Sequence, residues 1–280
     1  MGNIGNMYRD KRRTYGSSTL PGSIRIRELE SKDYGAVQRI YGSCMIDNIP
    51  YAISYTMQHR YILVLWVFLT YATVKNYPAN GIPVVILMLC GWGVFIYLNV
   101  RKIITHAIIT EARRVLLHDF FNIHDHYKIQ ATSTDSNDDK DSSHGPESLS
   151  RFWVAMDKDA GNRVVGFVAV IEREEDTKLT VIDREPSVLY LCILSEYRCR
   201  GIATALLDHA TRDMFKRGVK WISCVVNTWQ YPALNIFYKF GFREVARASV
   251  FYGFTENVKM RLDIEEWDRC RKARRRKIDE

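Results

Sequence analysis

The 280-residue chain carries six cysteines but no CxxC pair, and it contains no N-x-S/T sequon. The first absence removes the spacing of a paired-thiol site, and both agree with reduced, structural cysteines in a cytosol-facing protein. Met1 to Gly22 is polar and basic and lacks the apolar stretch of a secretory signal, so residues 1–22 read as a disordered tail. Asn6 stands where N-myristoylation of Gly2 requires Ser or Thr, and lipidation is not expected. His118, His124 and His126, with Asp119 and Asp125 between them, lack the one-turn spacing of a helical ligand pair, and no metal is expected. The formal charge of +8 comes largely from Arg9, Lys11, Arg12 and Arg13 and from a C-terminal block beginning at Arg269. Such blocks suit anionic lipid or nucleic acid, or simply keep the chain soluble. No nucleic-acid-binding module accompanies them, so nucleic acid is not an expected partner.

Charge is also missing from two internal stretches, Tyr61 to Val74 and Ile82 to Val100. The second has about the length that crosses a bilayer, and the first is shorter. Both are apolar on every face, which disfavours a soluble amphipathic hairpin. Tyr61, Trp66, Tyr71, Tyr77, Trp92 and Tyr97 supply aromatic residues, several of them near the ends. Arg60 precedes the first stretch, Arg101 and Lys102 follow the second, and the connection holds only Lys75. By the positive-inside rule both ends lie in the cytosol. Residues 61–100 therefore read as a membrane hairpin, spanning or re-entrant, with the lipid bilayer as a partner.

The remaining pattern is α/β. Ile24 to Arg27 alternates as a strand, and Asp33 is placed to cap a helix carrying Val37, Ile40, Tyr41 and Cys44. Residues 103–121 return to an amphipathic helix, and residues 131–150 are a polar, low-complexity insertion. Strands follow at 152–156 and 164–171, with a turn at Gly161 between them. Glu172 to Glu185 is a charged connection, and a basic tail occupies residues 263–280.

The most informative stretch is Val188 to Leu207. An apolar strand passes through a polar turn into Arg198-Cys199-Arg200-Gly201-Ile202-Ala203, and then into a helix with Ile202, Leu206, Ala210 and Met214 on one face. Gly218 stops it. The first N–H groups of a helix have no internal partner and carry the positive end of its dipole, so this turn can hold an anion. Gly201 lets a phosphate approach the backbone, and the two arginines can add charge-assisted bonds. An ordinary strand–helix turn would look the same. Another strand spans 220–226. Pro232 opens a short helix at 233–240 that carries Tyr238 and ends at Gly241, and strands at 242–248 and 258–262 complete the sheet. A tyrosine near a strand-end cleft can donate a proton to a leaving group.

In this order, with R-x-x-G-x-A on the first unit and ALNIFYKFGF on the second, the chain resembles the GNAT superfamily of acetyl-CoA-dependent N-acyltransferases. The resemblance implies a mixed, partly splayed β-sheet flanked by helices over residues 23–262, interrupted by the hairpin and the insertion. The position of the hairpin, with FWVA at 152–155 and VVG at 164–166, is similar to the membrane-bound camello-like branch, which includes cysteine-S-conjugate N-acetyltransferases. That likeness implies acetyl-CoA as co-substrate, a small amino acid or amino-acid conjugate as acceptor amine, and the endoplasmic reticulum as compartment. It implies that Arg198, Cys199, Arg200, Gly201, Ile202 and Ala203 cradle the pyrophosphate. Cys192 and Ile193 would offer backbone groups to pantetheine and thioester, the Ile193 N–H holding the oxyanion. Tyr238 would protonate the departing thiolate. Many family members have Gly where Cys199 stands. The general base is not fixed, with Glu172, Tyr190, Asp119 and ordered water as candidates. A protein lysine or N-terminal acetyltransferase at the membrane, or a non-catalytic acetyl-CoA-binding membrane protein, would share most of these features.

Overall fold

The computed structural model describes residues 22–76, 82–120, 149–174, 184–250 and 255–279. The N-terminal tail, nearly all of the polar insertion, and His124, Asp125 and His126 lie outside these residues.

Seven strands form one sheet in the order β1-β2-β3-β4-β5-β7-β6. They are β1 (Ile24–Glu28), β2 (Arg151–Asp157), β3 (Arg163–Glu174), β4 (Arg184–Ile193), β5 (Trp221–Asn227), β6 (Arg243–Val250) and β7 (Thr255–Asp263). Neighbours are antiparallel except β4 and β5, which run parallel because α4 (Ile202–Lys216) crosses back between them. β3 and β4 reach further into the charged 172–185 connection than hydropathy indicates, because cross-strand pairing continues through Glu174 and Arg184.

Strand alternation sends apolar side chains to both faces. One face, with Trp153, Val168, Ile193, Ile222 and Met260, packs against α4, α5 (Tyr231–Phe240) and Trp267. The other, with Phe152, Val154, Phe167 and Cys192, packs against α1 (Tyr34–Met57) and the end of α3 (Ile82–His118). On α1 the one-turn spacing of Val37, Ile40, Tyr41 and Cys44 buries these four side chains, as the sequence pattern predicts. Asp33 does not cap α1 through its side chain as expected. Its carboxylate instead accepts bonds from Arg27 at 2.7 and 3.0 Å and from the Glu30 N–H at 3.0 Å. A guanidinium on the adjacent strand is the stronger partner for a nearly buried carboxylate.

Two sequence expectations merge into one element. The second apolar stretch and the amphipathic segment after it form a single 37-residue helix, α3. At about 1.5 Å per residue it is roughly 55 Å long. Arg101 and Lys102 are good helix formers and do not interrupt it. α2 (Arg60–Asn76) pairs with its first half. Trp66 Nε1 donates to the Leu89 carbonyl at 3.0 Å, and Trp92 Nε1 donates to Thr73 Oγ1 at 3.0 Å. Within the basic tail, α6 (Ile264–Asp279) is helical and is docked by buried Trp267, whose ring meets Phe215 edge-on.

Gly166 faces the end of β4. A Cβ there would lie 2.7 Å from Ile193 Cδ1 and 2.9 Å from the Cys192 carbonyl oxygen. The backbone oxygen cannot rotate aside, so Gly166→Ala should lower stability by about 1–3 kcal/mol. A thermal or urea melt checks this, and an unchanged midpoint would show that β4 yields freely.

Candidate active site

β4 and β5 share only two residue pairs, Ser187 with Ser223 and Val188 with Cys224. Both strands continue beyond them, β4 to Ile193 and β5 to Asn227. The register between β3 and β4 shifts at this level. Val170 faces Val188 and Ala169 faces Tyr190, leaving Leu189 as an extra residue. A bulge bends its strand, so Leu189 turns β4 away from β5 at the carboxyl ends of the parallel pair. A cleft of about 390 Å³ opens there, lined by Ser187, Val188 and Leu189 on one side and Val225, Asn227 and Gln230 on the other.

Backbone polarity at this parting follows from the ladder. The Leu194 N–H donates to the Val165 carbonyl at 3.0 Å, so Ile193 and Gly166 are a non-hydrogen-bonded pair. The N–H and C=O of Ile193 therefore point away from β3, toward the parting. By alternation Leu191 does the same, while Cys192 turns its backbone groups to β3. Of the two β4 residues expected to offer backbone groups, Ile193 is oriented for it and Cys192 is not. Leu191 was not expected, because a sequence does not reveal which residues of a ladder bond which neighbour.

The turn leading to α4 has the shape of an anion site. Gly201 is the N-cap of α4 at φ 78°, and no side chain caps the helix. Ile202 and Ala203 thus begin α4 with N–H groups that have no intrahelical acceptor. Cys199 also lies in the left-handed region, at φ 62°. For a residue with a Cβ this costs about 1–2 kcal/mol. The two arginines turn elsewhere. Arg198 Nε donates to the Ile193 carbonyl at 3.1 Å, and its Nη2 lies 2.7 Å from Asp47 and 3.7 Å from Cys44 Sγ, both on α1. Arg200 stacks over the Tyr197 ring at 5.1 Å. Arg198 is thus a strap between β4 and α1, and the anion-binding capacity of the turn lies in its backbone. Asp47, one turn after Cys44, carried no sequence signal of its own.

The Tyr238 hydroxyl donates to Glu244 Oε2 on β6 at 2.9 Å. Burial, with the Glu244 carboxylate adding to it, holds the Tyr238 hydroxyl above its usual pKa, so it stays protonated at neutral pH. Glu244 is in turn bonded by Arg247, which lowers its pKa and keeps it ionised. Phe237 takes the core-facing position on α5, and Tyr238, one residue on, is turned outward and is 44% exposed.

Two of the three residues considered as general base are brought together. The Tyr190 hydroxyl donates to the Asp119 carboxylate beside the bulge, and the Tyr190 ring packs on Tyr41 and Phe120. Glu172 is remote, paired with Pro186 toward the other end of β4, and accepts the Leu149 N–H at 3.1 Å. α1 roofs the parting. Asp47 meets Arg198 on one wall, while the Tyr51 ring meets Tyr231 at 5.0 Å and Tyr55 accepts from Thr228 at 3.1 Å on the other. Among the described residues no group of His, Cys, Asp and Glu could hold a metal ion.

Residues 113–242 match the model of the acetyltransferase (GNAT) family. Among solved structures, the chain is similar to a putative phosphinothricin N-acetyltransferase, with 15% identity over 86% of this chain and 98% of that one and a TM-score of 0.42. It is also similar to NAA60 of Arabidopsis thaliana in complex with a bisubstrate analogue, with 21% identity over 42% of this chain and 78% of that one and a TM-score of 0.36. A third similar structure is the NatC complex bound to Gag peptide and CoA, with 21% identity over 40% of this chain and 70% of that one and a TM-score of 0.35. The family match starts in the last turns of α3 and stops where α5 gives way to β6, so it takes in the whole strand–helix–strand unit around the parting. That match, over 130 of the 280 residues, makes this part of the chain similar to the acetyltransferase (GNAT) family.

Proposed function

We propose that this chain is an acetyl-CoA-dependent N-acetyltransferase of the GNAT type, anchored in a membrane through α2 and the first half of α3, with its catalytic domain in the cytosol. In this reading it acetylates the amine of a small amino acid or amino-acid conjugate. This places it in the membrane-bound camello-like branch, with the endoplasmic reticulum as its compartment. The observation that carries the anchoring is where the hairpin puts its apolar side chains. Val64, Val67, Phe68 and Leu87 are each more than 60% exposed. A hairpin buried in a soluble protein would hide them, and bare exposure to water would cost roughly 1.5–3 kcal/mol for each large side chain. An 18-residue window of the helix from Pro83 has a mean hydropathy of 2.0, and the helix is long enough to cross a bilayer.

The residues present fit acetyl-CoA as the acyl donor. The uncapped start of α4, with the backbone of Cys199 to Ala203, would hold the pyrophosphate, and Gly201 leaves no Cβ in its way. The unpaired edge of β4 beyond the bulge, through Leu191 and Ile193, would bond the pantetheine arm. The Ile193 N–H would face the thioester oxygen and stabilise its developing negative charge. When bound, acetyl-CoA supplies an activated acetyl group, and the acceptor amine attacks it directly. The Asp119–Tyr190 pair is the built-in route for the amine proton on the α1 side of the sheet. A thiol with a pKa near 8.5 is a good enough leaving group to depart as thiolate without a dedicated acid. Tyr238 then serves as a tie between α5 and β6 through Glu244.

Four outcomes follow. Release of free CoA, screened across amino acids, cysteine conjugates and peptides, should appear with small amines; a response only to peptides would overturn the acceptor class. Asp119→Asn should lower kcat/KM by about 10²-fold or more. Tyr238→Phe should stay within about threefold of the parent, and a loss approaching 10²-fold would restore it as the acid. After alkaline carbonate extraction the protein should remain in the membrane pellet; recovery in the supernatant would remove the anchor.

A further inference from the structure

The carboxamides of Asn227, Gln230 and Asn257 all line the cleft, and backbone bonds fix which way they are turned. The Asn227 N–H donates to Gln230 Oε1 at 3.3 Å, and the Trp229 N–H donates to Asn227 Oδ1 at 3.4 Å. A backbone N–H can bond only the oxygen of a carboxamide, so each donor assigns the oxygen it meets. Asn227 is left with its NH2 group, which donates to Asn257 Oδ1 at 3.0 Å. The oxygens of Gln230 and Asn257 are thus engaged, and their NH2 groups remain. Among the described residues neither of these NH2 groups has an acceptor.

Both donors are held by the fold. Asn227 and Asn257 are cross-strand partners on β5 and β7, and alternation turns them away from the face that buries Val226 and Val258. They therefore lie on the α1 face. Thr228 fixes the turn that carries Gln230: its N–H donates to the Glu256 carbonyl at 2.8 Å, and its hydroxyl donates to Tyr55 of α1 at 3.1 Å. Tyr190 packs on the α1 face too, whereas α4 and its anion-binding turn belong to the other face. Lys259, two positions along β7 from Asn257, is paired with Glu185 at 3.1 Å. Its charge is already met, so an oxygen entering the cleft is recognised through the amide donors.

We propose that Gln230 and Asn257 determine acceptor specificity, donating their NH2 groups to the carboxylate that an amino acid carries next to its amine. Hydrogen bonds to a charged oxygen are stronger than those to a neutral one, and two donors match the two oxygens of a carboxylate. The amine of such an acceptor lies on the α1 face, the side on which the Asp119–Tyr190 pair stands. This rests on the acetyl-transfer reading above and names the groups that hold its acceptor.

Isosteric variants of the full-length protein in detergent test it. Asn257→Asp keeps the oxygen that accepts from Asn227 and puts a second carboxylate oxygen where the NH2 group was; Gln230→Glu does the same beside the Asn227 N–H. CoA release is measured in series built on phenylalanine, leucine and methionine, each amino acid set against its carboxamide and its decarboxylated amine. For the parent and each variant, kcat/KM for the amino acid is divided by kcat/KM for the decarboxylated amine. That ratio is independent of how much protein is folded, and a substitution in the protein leaves the acceptors' own basicity unchanged. In the series with the fastest release, each variant should lower the ratio at least about tenfold, because a charge-assisted bond is lost and a like charge takes its place. The carboxamide, whose own NH2 group can turn to the new oxygen, should lose less. Asn257→Ala and Gln230→Ala replace either variant that does not fold. An unchanged ratio in either variant, or an equal fall for the carboxamide, overturns the carboxylate subsite. A parent protein that releases CoA in none of the series overturns the proposed function instead.

Discussion

A parallel strand pair held together over two residue pairs is a weak joint, and the geometry of the candidate site is made from that weakness. In an ordinary parallel sheet, β4 and β5 would stay paired along their whole length, and no backbone donor would be left for a ligand. Leu189 inserts one residue against β3, and the bend that follows carries β4 off β5. Everything beyond that point has backbone groups on the β5 side with no strand to meet them. Because the next ladder pair to β3 is preserved, alternation selects Leu191 and Ile193, and not Cys192, as the residues that face the gap. Gly166 is part of the same arrangement, since only a residue without a Cβ lets Ile193 and the Cys192 carbonyl sit where the bent strand places them.

The open edge creates a second demand, because a gap between strands invites either collapse or water. α1 meets it by lying across the gap and being fastened on both sides. The Arg198–Asp47 pair is about one-third exposed at each partner, so by itself it stabilises by no more than about 1 kcal/mol. Its value is directional: the same guanidinium also bonds the Ile193 carbonyl, which fixes α1 to the residue whose N–H faces the cleft. An arginine in an anion-binding turn would ordinarily face the anion. Here the side chain is spent on the roof.

Periodicity made most elements legible. Apolar alternation gave the strands, four-residue spacing gave α4, and the glycines at 218 and 241 adopt the positive φ that ends a helix. What periodicity cannot carry is registry. The bulge at Leu189 depends on how β3 and β4 slide past one another, and no local signal at residues 188–190 states it. The same limit applies to Tyr238: nothing in ALNIFYKFGF states that its hydroxyl bonds Glu244 on β6. Asp119 and Tyr190 were both named as candidates from the sequence, but only the fold could join them, because α3 runs without a break from the apolar hairpin to the edge of β4.

That continuity links the membrane reading to the chemistry. The helix that emerges from the apolar hairpin ends beside Asp119, and α1, which roofs the cleft, is separated from α2 only by Gln58 and His59. α3 is thus a continuous extension of the hairpin, and α1 joins it through the turn at Gln58 and His59. Movement of the hairpin relative to the sheet would be carried to the Asp119–Tyr190 bond through one helix and to the Arg198–Asp47 and Cys44–Ile193 contacts through the other. Those contacts act together with the Tyr55–Thr228 bond, the Tyr51–Tyr231 rings and the apolar packing around Phe120 and Phe152. The roof therefore shifts only against several contacts at once, and it meets β4 where Cys44 donates to the Ile193 carbonyl.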